Sequence, residues 1–185
     1  AAVLDAFVAL VARHPDLRLI LAPRHPHRRG AVIALVRDRG LTLGVRSRGD
    51  APDAATRVYL ADTMGEMGLW YQAAGLCFVG GSLAPRGGHT PFEPAAMTCA
   101  ILHGPSLHNF ADAYRALDQA GAALAVQDAA TLAQALDPLI GDAPAQARLA
   151  ARAQTALAAF RPQADMDGFF AALADLTGLR APPPP

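Results

Sequence analysis

Six short apolar runs alternate with stretches whose apolar residues recur at helical spacing. That alternation restricts this chain more than any other feature. The runs fall at 17–22, 41–45, 57–61, 76–79, 100–103 and 122–126. Continuous apolar runs of this length suit strands covered on both faces. Helical spacing places helices at 2–13, 27–39, 64–74, 91–98 and 109–120. Beyond the sixth run only helices are expected, at 129–140, 143–160 and 165–177. Strands that alternate with helices, joined by right-handed crossovers, give an α/β fold. The expected architecture is a Rossmann-like doubly wound parallel sheet of about six strands. A chain of 185 residues with 52% hydrophobic content can bury one such core.

In such a sheet, ligands bind beyond the carboxyl ends of the strands. The chemically distinctive loops of this chain all fall there. Pro23-Arg24-His25 follows the first run, Thr63 to Glu66 the third, Gly80 to Glu93 the fourth, and Gly104 to Asn109 the fifth. The fourth loop is the richest. Gly80, Gly81, Gly87 and Gly88 precede Thr90, Pro91 and Glu93, which read as the N-cap, N1 and N3 of a helix. Glycines that admit a close backbone approach, followed by a helix N-terminus, suit an anion, and Arg86 and His89 add positive charge. Thr90-x-x-Glu93 is equally a capping box, which needs no ligand. The chain has only two glutamates, Glu66 and Glu93. Both sit in T-x-x-E sequences after a strand, which suggests a shared ligand-facing edge.

Composition excludes several classes. Sixteen basic residues balance sixteen acidic ones, so nothing suggests a nucleic-acid partner. Cys77 and Cys99 lie in apolar surroundings without metal-type spacing and read as reduced core thiols. His25-Pro26-His27 lacks an acidic third ligand, so no metal is expected. No apolar run reaches membrane-spanning length. Arg13, Arg28, Arg29, Arg37 and Arg39 read as solvated helix faces. Trp70 and Tyr71 read as core, and Phe110 as packing.

The motifs Pro23-Arg24-His25-Pro26, Asp62-Thr63-Met64-Gly65-Glu66, Phe78-Val79-Gly80-Gly81-Ser82-Leu83, Arg86-Gly87-Gly88-His89, Pro91-Phe92-Glu93-Pro94-Ala95 and Gly104-Pro105-x-x-x-Asn109-Phe110 stand in this order. Together they resemble the C-terminal half of 3-deoxy-D-manno-octulosonic acid (Kdo) transferase, over about 17–140. One departure is Thr90, where the family carries Asn.

The resemblance implies one half of a GT-B glycosyltransferase. Residues 17–160 would form the CMP-Kdo binding domain, with 1–16 an N-terminal or inter-domain segment. Residues 161–185 would be a C-terminal crossover helix and Pro-rich tail, the last helix serving the missing domain. Pro23, Arg24, Met64, Gly65, Glu66, Thr90, Pro91, Phe92 and Glu93 would contact CMP. The resemblance places no catalytic residue here: the base, the lipid A precursor site and a membrane anchor belong to an N-terminal domain. No cofactor is implied. The full-length protein would work at the cytoplasmic face of the bacterial inner membrane, whereas this part would be soluble and inactive alone. Two other readings stand beside it. One is another GT-B-type sugar-nucleotide enzyme, a UDP-sugar transferase or epimerase. The other is a non-catalytic nucleotide-binding domain.

Overall fold

The structure is a computed structural model that describes residues 1–160 and 166–178. The chain begins with α1 (Ala2–Val11), followed by β1 (Leu19–Leu21), α2 (Arg29–Arg37), β2 (Leu43–Val45) and β3 (Val58–Leu60). Next come α3 (Met67–Ala73), β4 (Leu76–Phe78), α4 (Phe92–Ala96), β5 (Ala100–His103), α5 (Ala111–Gln119) and β6 (Ala123–Ala125). Helices α6 (Ala129–Leu136), α7 (Ala143–Leu157) and α8 (Met166–Thr177) complete it. All strand pairings are parallel, as the apolar runs predict, and they form two three-stranded ladders. In the first, β3 lies between β1 and β2; in the second, β5 lies between β4 and β6.

Helix α1 packs against both ladders. Its Leu4 and Phe7 join Val36 and Val58 beside the first. Its Ala6 and Leu10 join Leu102, Val126, Leu132 and Ala133 beside the second. The opposite face of the second ladder is filled from α5 and α7, through Tyr114, Leu117, Ala153 and Leu157 against Ile101. Phe110 packs on that cluster, as expected. Both thiols are free, and burial pushes them up, Cys77 to about 12 and Cys99 to about 11.

The elements are shorter than their sequence patterns. Helix α3 starts at Met67 rather than 64, and α4 spans only Phe92–Ala96 rather than 91–98. Thr98 ends the latter with a φ of 59°, a left-handed turn that no helix can pass. Several arginines are not merely solvated: Arg39 donates to Asp5 at 2.6 Å, Arg13 pairs with Asp137 at 3.0 Å, and Arg29 reaches the buried Asp62.

The ends of β4 and β5 approach so closely that Gly104 has no room for a side chain. A Cβ there would lie 2.4 Å from the Ser82 carbonyl oxygen, a backbone atom that cannot swing away. Gly104→Ala is expected to destabilise the fold by about 3 kcal/mol, read as a lowered urea midpoint. An unchanged midpoint would mean that the two loops separate without cost.

Candidate functional site

At the end of β3, Asp62 is buried and accepts from the Ser47 amide at 2.9 Å and the Ser47 hydroxyl at 2.7 Å. Arg29 approaches it at 3.5 Å. Burial, the largest single influence, would raise this carboxyl, but the Ser47 hydrogen bonds, together with a backbone hydrogen bond and the charge of Arg29, outweigh it and the net shift is downward. The turn that follows is therefore fixed at its root. Gly65 sits at φ +83°, and Glu66 turns back to Arg46, which donates from Nη2 at 2.6 Å and from Nε at 3.1 and 3.2 Å. The Thr63 hydroxyl also donates to Glu66. These hydrogen bonds, Arg46 first, hold the Glu66 carboxyl down at about 2. The Arg46 guanidinium lies 5.9 Å from the centre of the Trp70 ring. With its carboxylate occupied in this way, Glu66 occupies the N-cap of α3 without capping it.

The glycine loop after β4 departs from the expected phosphate cradle. The Gly87 amide donates to the Ser106 hydroxyl at 3.0 Å, Gly88 to the Gly81 carbonyl at 3.2 Å, and His89 to the Gly80 carbonyl at 3.1 Å. Asn109 donates to the carbonyls of Arg86 and Gly88 at 3.0 and 3.1 Å. The Gly88 and His89 amides are thus consumed in closing the loop on itself, and the Gly87 amide, with Asn109, docks it onto residues 106–109. The glycines serve that close approach: a Cβ at Gly87 would lie 2.5 Å from the Asn109 side chain.

The capping box is also absent. Pro91, not Thr90, occupies the N-cap of α4, and it makes no side-chain capping bond. The Thr90 hydroxyl accepts instead from the Phe92 amide at 3.3 Å. Phe92 turns inward, packing on the core and edge-on to Phe160 at 6.1 Å. Glu93 is left exposed, and no hydrogen bond or ion pair occupies its carboxylate among the described residues.

Two contacts bring the loops of both ladders together. Arg24, after β1, donates to Nδ1 of His89 at 3.4 Å. Burial, with Arg24 and His25 nearby, lowers the His89 pKa below its ordinary value. Gly65 and Glu93 line one cleft of about 300 Å³, with Met67, Gly68, Tyr71, Ala96 and Met97. Of the anticipated contact residues, Gly65 and Glu93 thus share one cleft, and Arg24 meets the glycine loop at His89. Pro23 is half-buried beside Arg24, Met64 is 75% exposed, and Thr90, buried Pro91 and Phe92 support the entry to α4. Tyr71, read as core, lines the cleft, and burial lifts its phenol above the usual range. Arg46, Met67 and Met97 gave no sequence signal. Gly68 did: it is a glycine inside a helix, and a Cβ there would meet the Met97 methyl at 3.9 Å.

Parallel ladders whose loops gather at the carboxyl edge of the strands define a Rossmann-like α/β domain, the kind that forms half of a GT-B glycosyltransferase. No protein-family model matches the chain. It is 36% identical over 148 residues to the 3-deoxy-D-manno-octulosonic acid transferase of Haemophilus influenzae, covering 80% of this chain and 35% of that protein. It is 41% identical over 156 residues to the Bordetella pertussis protein of the same name, covering 83% and 36%. The crystal structure of the C-terminal CMP-Kdo binding domain of WaaA from Acinetobacter baumannii superimposes with a TM-score of 0.79 at 35% identity, covering 84% of this chain and 81% of that one. The chain belongs to the 3-deoxy-D-manno-octulosonic acid transferase family. It spans about a third of the length of the curated relatives it matches.

Because the Asp62 carboxyl is lowered in the fold, its contribution to stability is complete above the unfolded value of about 4 and is lost as pH falls through the lower folded value. Asp62→Asn is expected to cost about 2 kcal/mol at pH 7, with the difference from the parent narrowing below about pH 4. Urea titrations of both chains between pH 3 and 7 measure this. A gap independent of pH would show that the carboxylate charge contributes nothing.

Proposed function

We propose that this chain is the donor-binding part of a Kdo transferase, which holds CMP-Kdo while the sugar passes to a lipid A precursor on another domain. The observation that carries the reading is the meeting of loops from both ladders at two points: Gly65 and Glu93 line one cleft, and Arg24 donates to His89. An ionised carboxylate only accepts, and the unoccupied Glu93 suits ribose hydroxyls. Met67, Tyr71 and Met97 offer an apolar wall to a flat base. Arg24 suits the single phosphate, or the sugar carboxylate, by paired N–H donors. Met64, Gly65 and Glu66 present the turn that faces the nucleotide, with Glu66 steadied by Arg46. Pro23, Thr90, Pro91 and Phe92 hold the contact segments in place. The catalytic base, the acceptor site and attachment to the cytoplasmic face of the inner membrane belong, in this proposal, to the rest of the protein.

The chain is expected to bind CMP at millimolar concentration by calorimetry, more tightly than UMP, and to transfer no sugar alone. A folded chain that ignores CMP, or that prefers a uridine nucleotide, would overturn the reading. Glu93→Gln should weaken CMP by about 1–3 kcal/mol and leave the urea midpoint unchanged, because Glu93 does not cap α4.

The same proposal assigns 17–160 to the donor domain and 161–185 to a crossover segment; 161–165 and the tail at 179–185 lie outside the described residues. Leu173 and Leu176 of α8 are 43% and 85% exposed, which supports a partner elsewhere in the intact protein. Amide exchange in α8 is expected to be faster than in β5. Protection equal to that of β5 would place the helix in this domain's own core.

A further inference from the structure

The contact between Arg24 and His89 joins two groups that share the same sign when both are protonated. Arginine has no acceptor and cannot give up its charge in a protein. The contact at 3.4 Å therefore requires His89 to be neutral, with its proton on Nε2 and a free lone pair on Nδ1. The lowered His89 pKa agrees with that form. Among the described residues no carboxylate pairs with His89: besides burial, the groups that lower its pKa are Arg24 and His25, and its carbonyl receives the Tyr114 hydroxyl at 2.8 Å.

The two partners differ in how firmly they are held. The His89 amide donates to the Gly80 carbonyl, and its carbonyl is bonded to the fully buried Tyr114. Its ring lies over Gly80 and Gly81, close enough that a Cβ on either would sit 3.4 and 3.7 Å from it. Arg24, by contrast, is exposed on the short loop after β1. The histidine is the fixed member, and the long arginine side chain is the one that needs directing.

We infer that His89 is a positioning residue: neutral and held against the glycine loop, it accepts from Arg24 and presets the guanidinium toward the anionic group of the nucleotide sugar. This rests on the donor-binding reading above. It assigns His89 no contact with the nucleotide. Its effect on binding passes through Arg24, by sparing the entropy of ordering an exposed side chain on binding.

Two measurements test this. The first needs no ligand. Nitrogen NMR of the His89 ring in the whole chain should show a protonated Nε2 and an unprotonated Nδ1, and the Nδ1 signal should move in Arg24→Gln. A proton on Nδ1, or no response to that substitution, overturns the pairing. The second is CMP affinity. His89→Phe keeps a flat ring without the acceptor and should weaken CMP by about fivefold. His89→Asn puts Oδ1 where Nδ1 was and should return affinity to within about twofold of the parent. In the Arg24→Gln background, His89→Phe should cause no further loss. A loss that persists without Arg24, or Asn and Phe variants that bind alike, overturns the role. Binding by the parent with His89→Phe equal to it overturns the role alone. A parent chain that binds no CMP overturns the donor reading and this role together.

Discussion

The site depends on the contact between the loops that leave β4 and β5. Ser82 is wholly buried; its hydroxyl donates to the Val79 carbonyl at 2.6 Å and accepts from the Gly104 amide at 2.8 Å. The Ser82 carbonyl receives the Ser106 amide at 2.8 Å. One small polar side chain thus satisfies the backbone of two loops at a depth where water cannot, and an unpaired group there would be costly. Gly104 is obligatory because this seam leaves no gap. From the seam, the register of the glycine loop, the placement of His89 and the start of α4 all follow in chain order.

The two halves of the candidate edge are secured by different physics. Beyond β4 and β5 the loops are held by backbone amides, Ser106 and Asn109, which are neutral contacts and indifferent to salt. Beyond β3 the turn is held by charge: Asp62 on Ser47 and Arg29, and Glu66 on Arg46. Arg46 and Glu66 are partly exposed, so their attraction is screened, and the pair directs the turn more than it stabilises the fold. Asp62 is different, because a buried carboxylate without its donors would carry a full desolvation penalty. Changes in ionic strength therefore act first on the Gly65 side of the cleft, while the Glu93 side keeps its shape.

Apolar runs such as 100–103 were legible because a strand covered on both faces needs an unbroken apolar sequence, and β5 occupies that run. The common edge of the motif-bearing loops was legible for the same reason, since parallel strands carry their loops to one side. Cap frames were less so. Thr90, Pro91 and Glu93 satisfy a capping pattern in sequence, yet burial of Pro91 and the inward turn of Phe92 move the helix start by one residue. Glu93 is thereby released from capping, which turns a structural motif into a candidate ligand contact. Long-range ion pairs left no local trace. Nothing near Arg29 or Arg46 in the sequence announces a partner at Asp62 or Glu66, because the crossover that brings them together is set by the sheet.

The glycine loop resembles a phosphate cradle in sequence, but its amides at 87–89 are committed to internal bonds. Positive charge at the edge is supplied instead by a side chain, Arg24, and that side chain comes from the other ladder. A charge placed in this way keeps its position against the glycine loop only while the two ladders keep theirs. Among the described residues no strand hydrogen bonds join them. What spans both is α1, with Leu4 and Phe7 on one ladder and Ala6 and Leu10 on the other, all nearly inaccessible to water. Leu17 packs into both clusters as well. Close-packed interiors transmit displacement instead of absorbing it. The apolar face of the N-terminal helix, which contributes no polar group to the cleft, is therefore part of what keeps Arg24 in reach of His89.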